Sequence, residues 1–242
     1  MSTLETKKIE PLSGTSVTLG AAGDAVTMPA GVTVKTNTVK DAGGNTLWTS
    51  DGSGTLSSVN SALQGNMIFI SSQTASSSAS LEFTTGIDST YDEYVFYFVN
   101  VQPATDGRQF QFQANASGET GYNETMTTTW FGSKHTENNN TAALTYQVYH
   151  DQANDTGAQY LSVAVGSASD ESTCGELHLY SPSSTTYAKH FVSTFNTCDA
   201  DVRTYHAFIS GYFNTTTAIT QLKFWFDSGN IAAGTIYLYG IK

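Results

Sequence analysis

"LEFTTGIDSTYDEYVFYFVNVQPATDGRQFQFQAN", residues 81–115, contains two kinds of strand in one stretch. From Tyr94 to Val101 nearly every position is apolar, the pattern of a strand covered on both faces in the middle of a sheet. From Arg108 onward the chain alternates, with Phe110, Phe112 and Ala114 on one face and Gln109, Gln111 and Gln113 on the other. That period of two predicts a half-buried strand with a polar outer face.

Strand signals continue on both sides. "MIFISS" at 67–72 opens the region, and the Ser-rich "QTASSSAS" at 73–80 breaks it. Downstream come "YNETMTTTWF", "ALTYQVYH", "QYLSVAVG", "GELHLYS", "KHFVSTF", "TYHAFISGYF", "AITQLKFWFDS" and "GTIYLYGIK". Turn residues separate these segments at the spacing of a sandwich, about ten or eleven strands in all. The last segment is strongly β-forming and has no polar tail, so it is expected inside a sheet, because an apolar edge would aggregate. The fold class is all-β: a jelly-roll-like antiparallel β-sandwich over residues 67–242.

Composition agrees. Only 13% of the 242 residues are charged, well below the roughly 25% of an average soluble domain, and aromatic residues make up 12%. Aromatic side chains and Thr suit a pleated surface, Gly and Asn suit turns, and little remains for amphipathic helices. The net charge of −11 repels nucleic acid, whose binding rests on Lys and Arg, and it disfavours anionic lipid. No apolar run approaches the ~20 residues that span a bilayer, so membrane insertion is not expected. "MSTLETKKIEPL" lacks the apolar centre of a signal peptide. The Asn-X-Ser/Thr triplets at Asn115, Asn123, Asn139, Asn154 and Asn214 are accordingly read as coincidences of an Asn- and Thr-rich chain.

Residues 1–66 have a different texture. "GTSVTLG" at 14–20 and "SGTLSSV" at 53–59 look like variants of one strand–turn unit, and no aromatic residue precedes Trp48. Such a core-poor, Gly-rich β segment cannot bury a face alone, so neighbouring units or other chains must cover it. The alternative is an extended linker.

Few motifs carry chemistry. His135, His150, His178, His190 and His206 show no metal-ligand spacing, and there is no G-x-S-x-G elbow. His178, His190 and His206 fall in strands, where solvent-facing positions are the default reading and spatial proximity the other. Carboxylates cluster at Asp88, Asp92 and Glu93, at Glu119 and Glu124, and at Asp170, Glu171 and Glu176, but spacing alone pairs none of them for glycoside hydrolysis. No catalytic residue, metal ligand or cofactor is assigned. "HDQANDTG" at 150–157 and "CDAD" at 198–201 are acidic loops of the kind that bind Ca²⁺, or else simply solvated turns. Cys174 and Cys198 bracket a hairpin folded about "SPSSTT", which brings them roughly opposite each other. A disulfide would stabilise a loop of that size by ~3 kcal/mol, whereas a reducing cytoplasm favours free thiols.

Aromatic rings beside Asn, Gln and Thr suit a sugar, which presents an apolar ring face next to hydroxyls. "GYNETMTTTWFGSKHTENNNT" at 121–141 places Tyr122, Trp130, Phe131, Asn138 and Asn139 together in sequence, and these are the candidate receptor- or carbohydrate-binding residues. The competing reading puts Trp130 and Phe131 in the core at a strand end.

Three stretches carry a resemblance. "VTLGAAGDAVTMPAGVTVKTNTVKDAGGNTLWTSDGSGTLSS" at 17–58 resembles phrases near the start of fibre and other virion proteins of marine tailed bacteriophages. "GIDSTYDEYVFYFVNVQPATDG" at 86–107 and "SGNIAAGTIYLYGIK" at 228–242 are similar to a small β-domain of such proteins. The resemblance implies a non-enzymatic virion component made in the host cytoplasm. In this reading residues 1–66 attach to other virion proteins and help form a homotrimer, and residues 67–242 face outward toward a host cell-surface glycan. The chain has no heptad shaft, so a short fibre or spike is expected, with a capsid decoration protein or a carbohydrate-binding module as alternatives.

Overall fold

A computed structural model describes residues 36–60, 63 and 65–242. The chain divides after Leu63, beside the 66/67 boundary read from sequence. The strand–turn phrases before residue 36, "GTSVTLG" among them, lie outside the described residues.

In the first unit, β1 (Thr38–Lys40), β2 (Thr46–Ser50) and β3 (Leu56–Val59) form an antiparallel sheet with β2 in the middle. Trp48 on β2 lies opposite Val39 on one side and Val59 on the other. The turns are fastened by carboxylates. Asp41 accepts the Asn45 N–H at 2.8 Å across its turn, and Asp51 the Ser53 N–H at 2.8 Å, the latter an Asx turn of the kind that Asp-Gly-rich loops favour.

The second unit is a two-sheet sandwich. Its strands are β4 (Met67–Thr74), β5 (Leu81–Phe83), β6 (Glu93–Pro103), β7 (Arg108–Ala116), β8 (Met126–Thr136), β9 (Ala142–Tyr146), β10 (Ala153–Asp155), β11 (Gln159–Val165), β12 (Thr173–Tyr180), β13 (Lys189–Cys198), β14 (Arg203–Phe213), β15 (Ile219–Phe226) and β16 (Ile231–Ile241). The large sheet runs β10-β8-β14-β13-β12-β6-β16-β4, with β9 also paired to β8, and the small sheet runs β11-β7-β15-β5. Every pairing is antiparallel. The all-β antiparallel sandwich expected from sequence is thus met, with a strand order of its own.

The apolar run Tyr94–Val101 is central, with β12 on one side and β16 on the other. The C-terminal strand β16 lies inside the sheet, between β6 and β4. Between the sheets, phenylalanines interlock. Phe224 of β15 sits 5.1 Å from Phe98, 5.3 Å from Phe96 and 6.2 Å from Phe112 by ring centroids. Edge-to-face and offset contacts of this kind favour the packed state beyond simple burial. Gly175 on β12 makes room for this layer. A Cβ there would meet the Thr194 carbonyl at 2.3 Å and the Phe195 ring at 2.6 Å.

One strand departs from its reading. The polar face of β7 was expected in solvent, yet Gln111, Gln113 and Asn115 are all buried. Loops explain it. Gln113 Nε2 donates to the carbonyls of Glu124 (2.8 Å), Thr156 (3.1 Å) and Gly157 (3.2 Å), so two connecting segments fold over the outer face. Amides survive there because backbone carbonyls meet them.

Candidate functional site

The sandwich offers two outer faces, and they differ in chemistry. On the large sheet the registers align a row across seven strands: Tyr237, Tyr97, Glu176, Thr194, Phe208, Phe131 and Tyr146. A neighbouring row contains Phe69, Tyr239, His178 and Val192. Phe131 and Phe208 stack at 5.0 Å, and Phe131 is 42% exposed. Tyr239 contacts both Tyr97 (5.8 Å) and Phe69 (5.6 Å). These residues lie on one face because the core-facing residues, such as Leu177, Phe195 and Ile209, take the alternate positions. The result is a broad aromatic surface of the composition that protein contacts favour.

The face of the small sheet is narrower and more polar. Tyr122 stands in the left-handed region, with φ at 51°. Its backbone N–H donates to Asn115 Oδ1 at 2.7 Å, and its hydroxyl donates to Glu82 Oε2 at 3.1 Å. Burial, reinforced by the Glu82 charge, pushes the phenol up to about 12. Burial would likewise raise Glu82, but hydrogen bonds from Lys223, Ser80 and Tyr122 outweigh it and hold the carboxyl below its ordinary range. Lys223 Nζ lies 3.2 Å from Glu82 Oε1, 5.4 Å from the Tyr122 ring centre and 5.5 Å from that of Trp225. A cation between two rings and a carboxylate is held by all three.

The five binding residues expected from residues 121–141 therefore do not form one site. Trp130 is fully buried, and its indole N–H donates to the Tyr160 carbonyl at 3.2 Å, so it belongs to the core. Phe131, its neighbour on β8, points the opposite way onto the large sheet's outer face, as strand alternation requires. Tyr122 lies against Glu82 and Lys223 on the small sheet. Asn138 and Asn139 sit in the exposed β8–β9 turn, where Asn139 has φ at 61° and receives a 3.0 Å contact from His135. The sequence missed Glu82, Gln111, Gln221, Lys223 and Trp225. The signal was the alternation of Gln221, Lys223 and Trp225 with core residues in "QLKFWF".

Other expectations are corrected by register. Cys174 lies opposite Asn196, not Cys198, whose N–H donates to the Ser172 carbonyl. The thiols are two residues out of step and free, and residues so placed sit about 7–8 Å apart on a sheet, beyond disulfide reach. Cys174 Sγ instead meets Asn100, accepting its N–H at 3.2 Å. His178, His190 and His206 occupy adjacent strands but different rows, opposite Val192, Tyr212 and Asn196 respectively. His178 sits between two carboxylates, Glu93 at 2.6 Å and Glu176 at 3.7 Å.

The acidic loops are occupied by the chain itself. Asp199 is fully buried rather than solvated. It accepts the backbone N–H groups of Asp201 and Arg203 and the Arg203 Nε–H at 2.7 Å. In the 150–157 loop Asp151 accepts the Tyr146 hydroxyl and Asp155 the Gly157 N–H. Among the described residues no group of three or more His, Cys, Asp or Glu is placed to hold a metal ion. Compared with protein-family models, with curated proteins and with solved structures, the chain has no match.

Proposed function

We propose that the chain is a non-enzymatic structural protein of a bacteriophage virion: a short trimeric fibre or spike, attached to the particle through residues 1–66, with the β-sandwich facing outward for host attachment. The observation that carries this reading is the outer face of the large sheet. It is wide, and rows of aromatic residues cross it between open depressions such as the one lined by Thr129, His190, Val192, Ser210 and Tyr212, a form suited to contact with a macromolecule. A net charge of −11 keeps such a surface soluble between contacts. The resemblance of residues 17–58, 86–107 and 228–242 to phage virion proteins suggests the setting.

The same broad face supports a second reading, a capsid decoration protein lying on the shell. Immunogold labelling of particles from the phage that encodes the chain distinguishes the two. Label at fibre or spike tips is expected. Label spread over the head would favour decoration, and particles without label would refute both.

A further inference from the structure

On the outer face of the small sheet the fold leaves the side chain of Gln111 without a partner. Gln111 is 8% exposed, and its side-chain amide makes no hydrogen bond among the described residues. Two positions along the same strand, Gln113 donates to three carbonyls, and Asn115 is bonded to Tyr122 and Gln221. Buried amides are normally matched in this way. The Gln111 amide is not among the fully buried unbonded atoms of the described residues, so it reaches the surface and is open to an external partner with both a donor and an acceptor, since an amide offers both.

Its surroundings indicate what that partner is. The register places Gln111 between Tyr160 of β11 and Trp225 of β15. Trp225 is half-buried, which leaves part of the indole in solvent. In the next row Lys223 and Glu82 pair with each other, so the patch has no net charge to offer an ion. Beyond them Gln221 uses its Oε1 to accept from Asn115 and Tyr122, which leaves its Nε2 donor free. Of the two rings flanking Lys223, Tyr122 is fixed through two hydrogen bonds, so that side of the surface is organised before a ligand arrives.

We propose that the outer face of the small sheet, with Trp225 as the stacking ring and Gln111 and Gln221 as the hydrogen-bonding groups, binds a neutral saccharide. A pyranose presents an apolar C–H face to an aromatic ring while its rim hydroxyls both donate and accept. The amide of Gln111 is matched by adjacent hydroxyls, and Gln221 Nε2 donates to a third. Neutral sugars fit better than uronate or sulfate polymers, because the chain's net charge of −11 repels anions and Lys223 is already engaged. The inference names a ligand class for the outward-facing domain and rests on the attachment reading for where that sugar is met.

The test uses the full chain and a fixed set of probes: oligosaccharides of glucose in α-1,4, α-1,6 and β-1,4 linkage, of mannose and of galactose, with oligogalacturonate as the anionic control. Binding is followed by titration calorimetry and by Trp fluorescence. At least one neutral probe is expected to bind, and W225A and Q111L are each expected to weaken it about tenfold. Q111L is the sharper variant, because it removes no hydrogen bond of the fold and should leave Tm unchanged; should W225A fail to fold, Q111L alone decides. No neutral probe bound, binding indifferent to Q111L, or binding to the anionic control alone would each overturn the proposal. Gold-labelled fibres together with absent sugar binding would sink this inference and leave the attachment reading standing.

Discussion

Gln111 and Gln113 occupy the same strand and the same face, so replacing each by Leu isolates what the hydrogen bonds do. Gln113 Nε2 carries two protons shared among the carbonyls of Glu124, Thr156 and Gly157. Losing two net hydrogen bonds costs about 1–3 kcal/mol, and stripping buried carbonyls of their donor pushes the loss toward the upper end. We expect Q113L to destabilise the protein by about 2–3 kcal/mol, or roughly 4–12 °C in Tm for a unit of this size. Q111L has no hydrogen bond to lose and should stay within about 0.5 kcal/mol of the parent. Urea unfolding followed by far-UV circular dichroism measures both. Hydrogen exchange should also show the 117–125 and 153–158 segments opening first in Q113L. Equal losses in the two variants, or a Q113L protein as stable as the parent, would refute the account of the buried amide face.

The remaining predictions concern the core, the thiols and one histidine. F224A should cost about 3–5 kcal/mol, because Phe224 is fully buried and meets rings from both sheets; equilibrium unfolding measures it, and a loss below about 1 kcal/mol would contradict the packing described. Thiol titration of the unfolded, unreduced chain should count both Cys174 and Cys198, since the hairpin register keeps them apart; a count of zero would mean that a bridge forms. His150 is packed against Trp130 (5.0 Å) and Tyr160 (5.5 Å), and burial lowers its basicity more than the neighbouring Asp151 raises it. Its folded pKa thus lies below its unfolded value of about 6.5, so the stability from keeping it neutral is present above that pH. It is lost progressively as the pH falls from there through the folded value. Relative to H150F, the parent's Tm should decline on acidification below about pH 6.5; parallel Tm curves would refute the assignment.

Periodicity made much of this fold legible. The continuous apolar run at 94–101 marked the central strand, and the closing segment at 231–241, strongly β-forming and without a polar tail, marked an interior one. The run is nevertheless fully covered on one face only, Val99 being 43% exposed on the other. The outer face of β7 was misread for a related reason. Alternation reports which residues point away from the core, but not whether a distant loop later covers them. The hairpin at 174–198 shows a second limit: its ends are close, yet register depends on turn geometry, and a slip of two separates the cysteines. The binding residues failed likewise. Trp130 and Phe131 are adjacent in sequence and therefore on opposite faces of β8, whereas Tyr122 and Trp225 meet around Lys223 from positions far apart in the chain. Lys189 was not anticipated at all. It is fully buried and held by the carbonyls of Tyr187 and Thr215, with burial lowering its basicity.

The solution mass of the full chain by light scattering tests the trimeric fibre most directly. The account predicts three chains per particle over a range of concentrations. A mass of one chain throughout would contradict it and leave the sandwich as a monomer that assembles, if at all, only on a surface supplied by others.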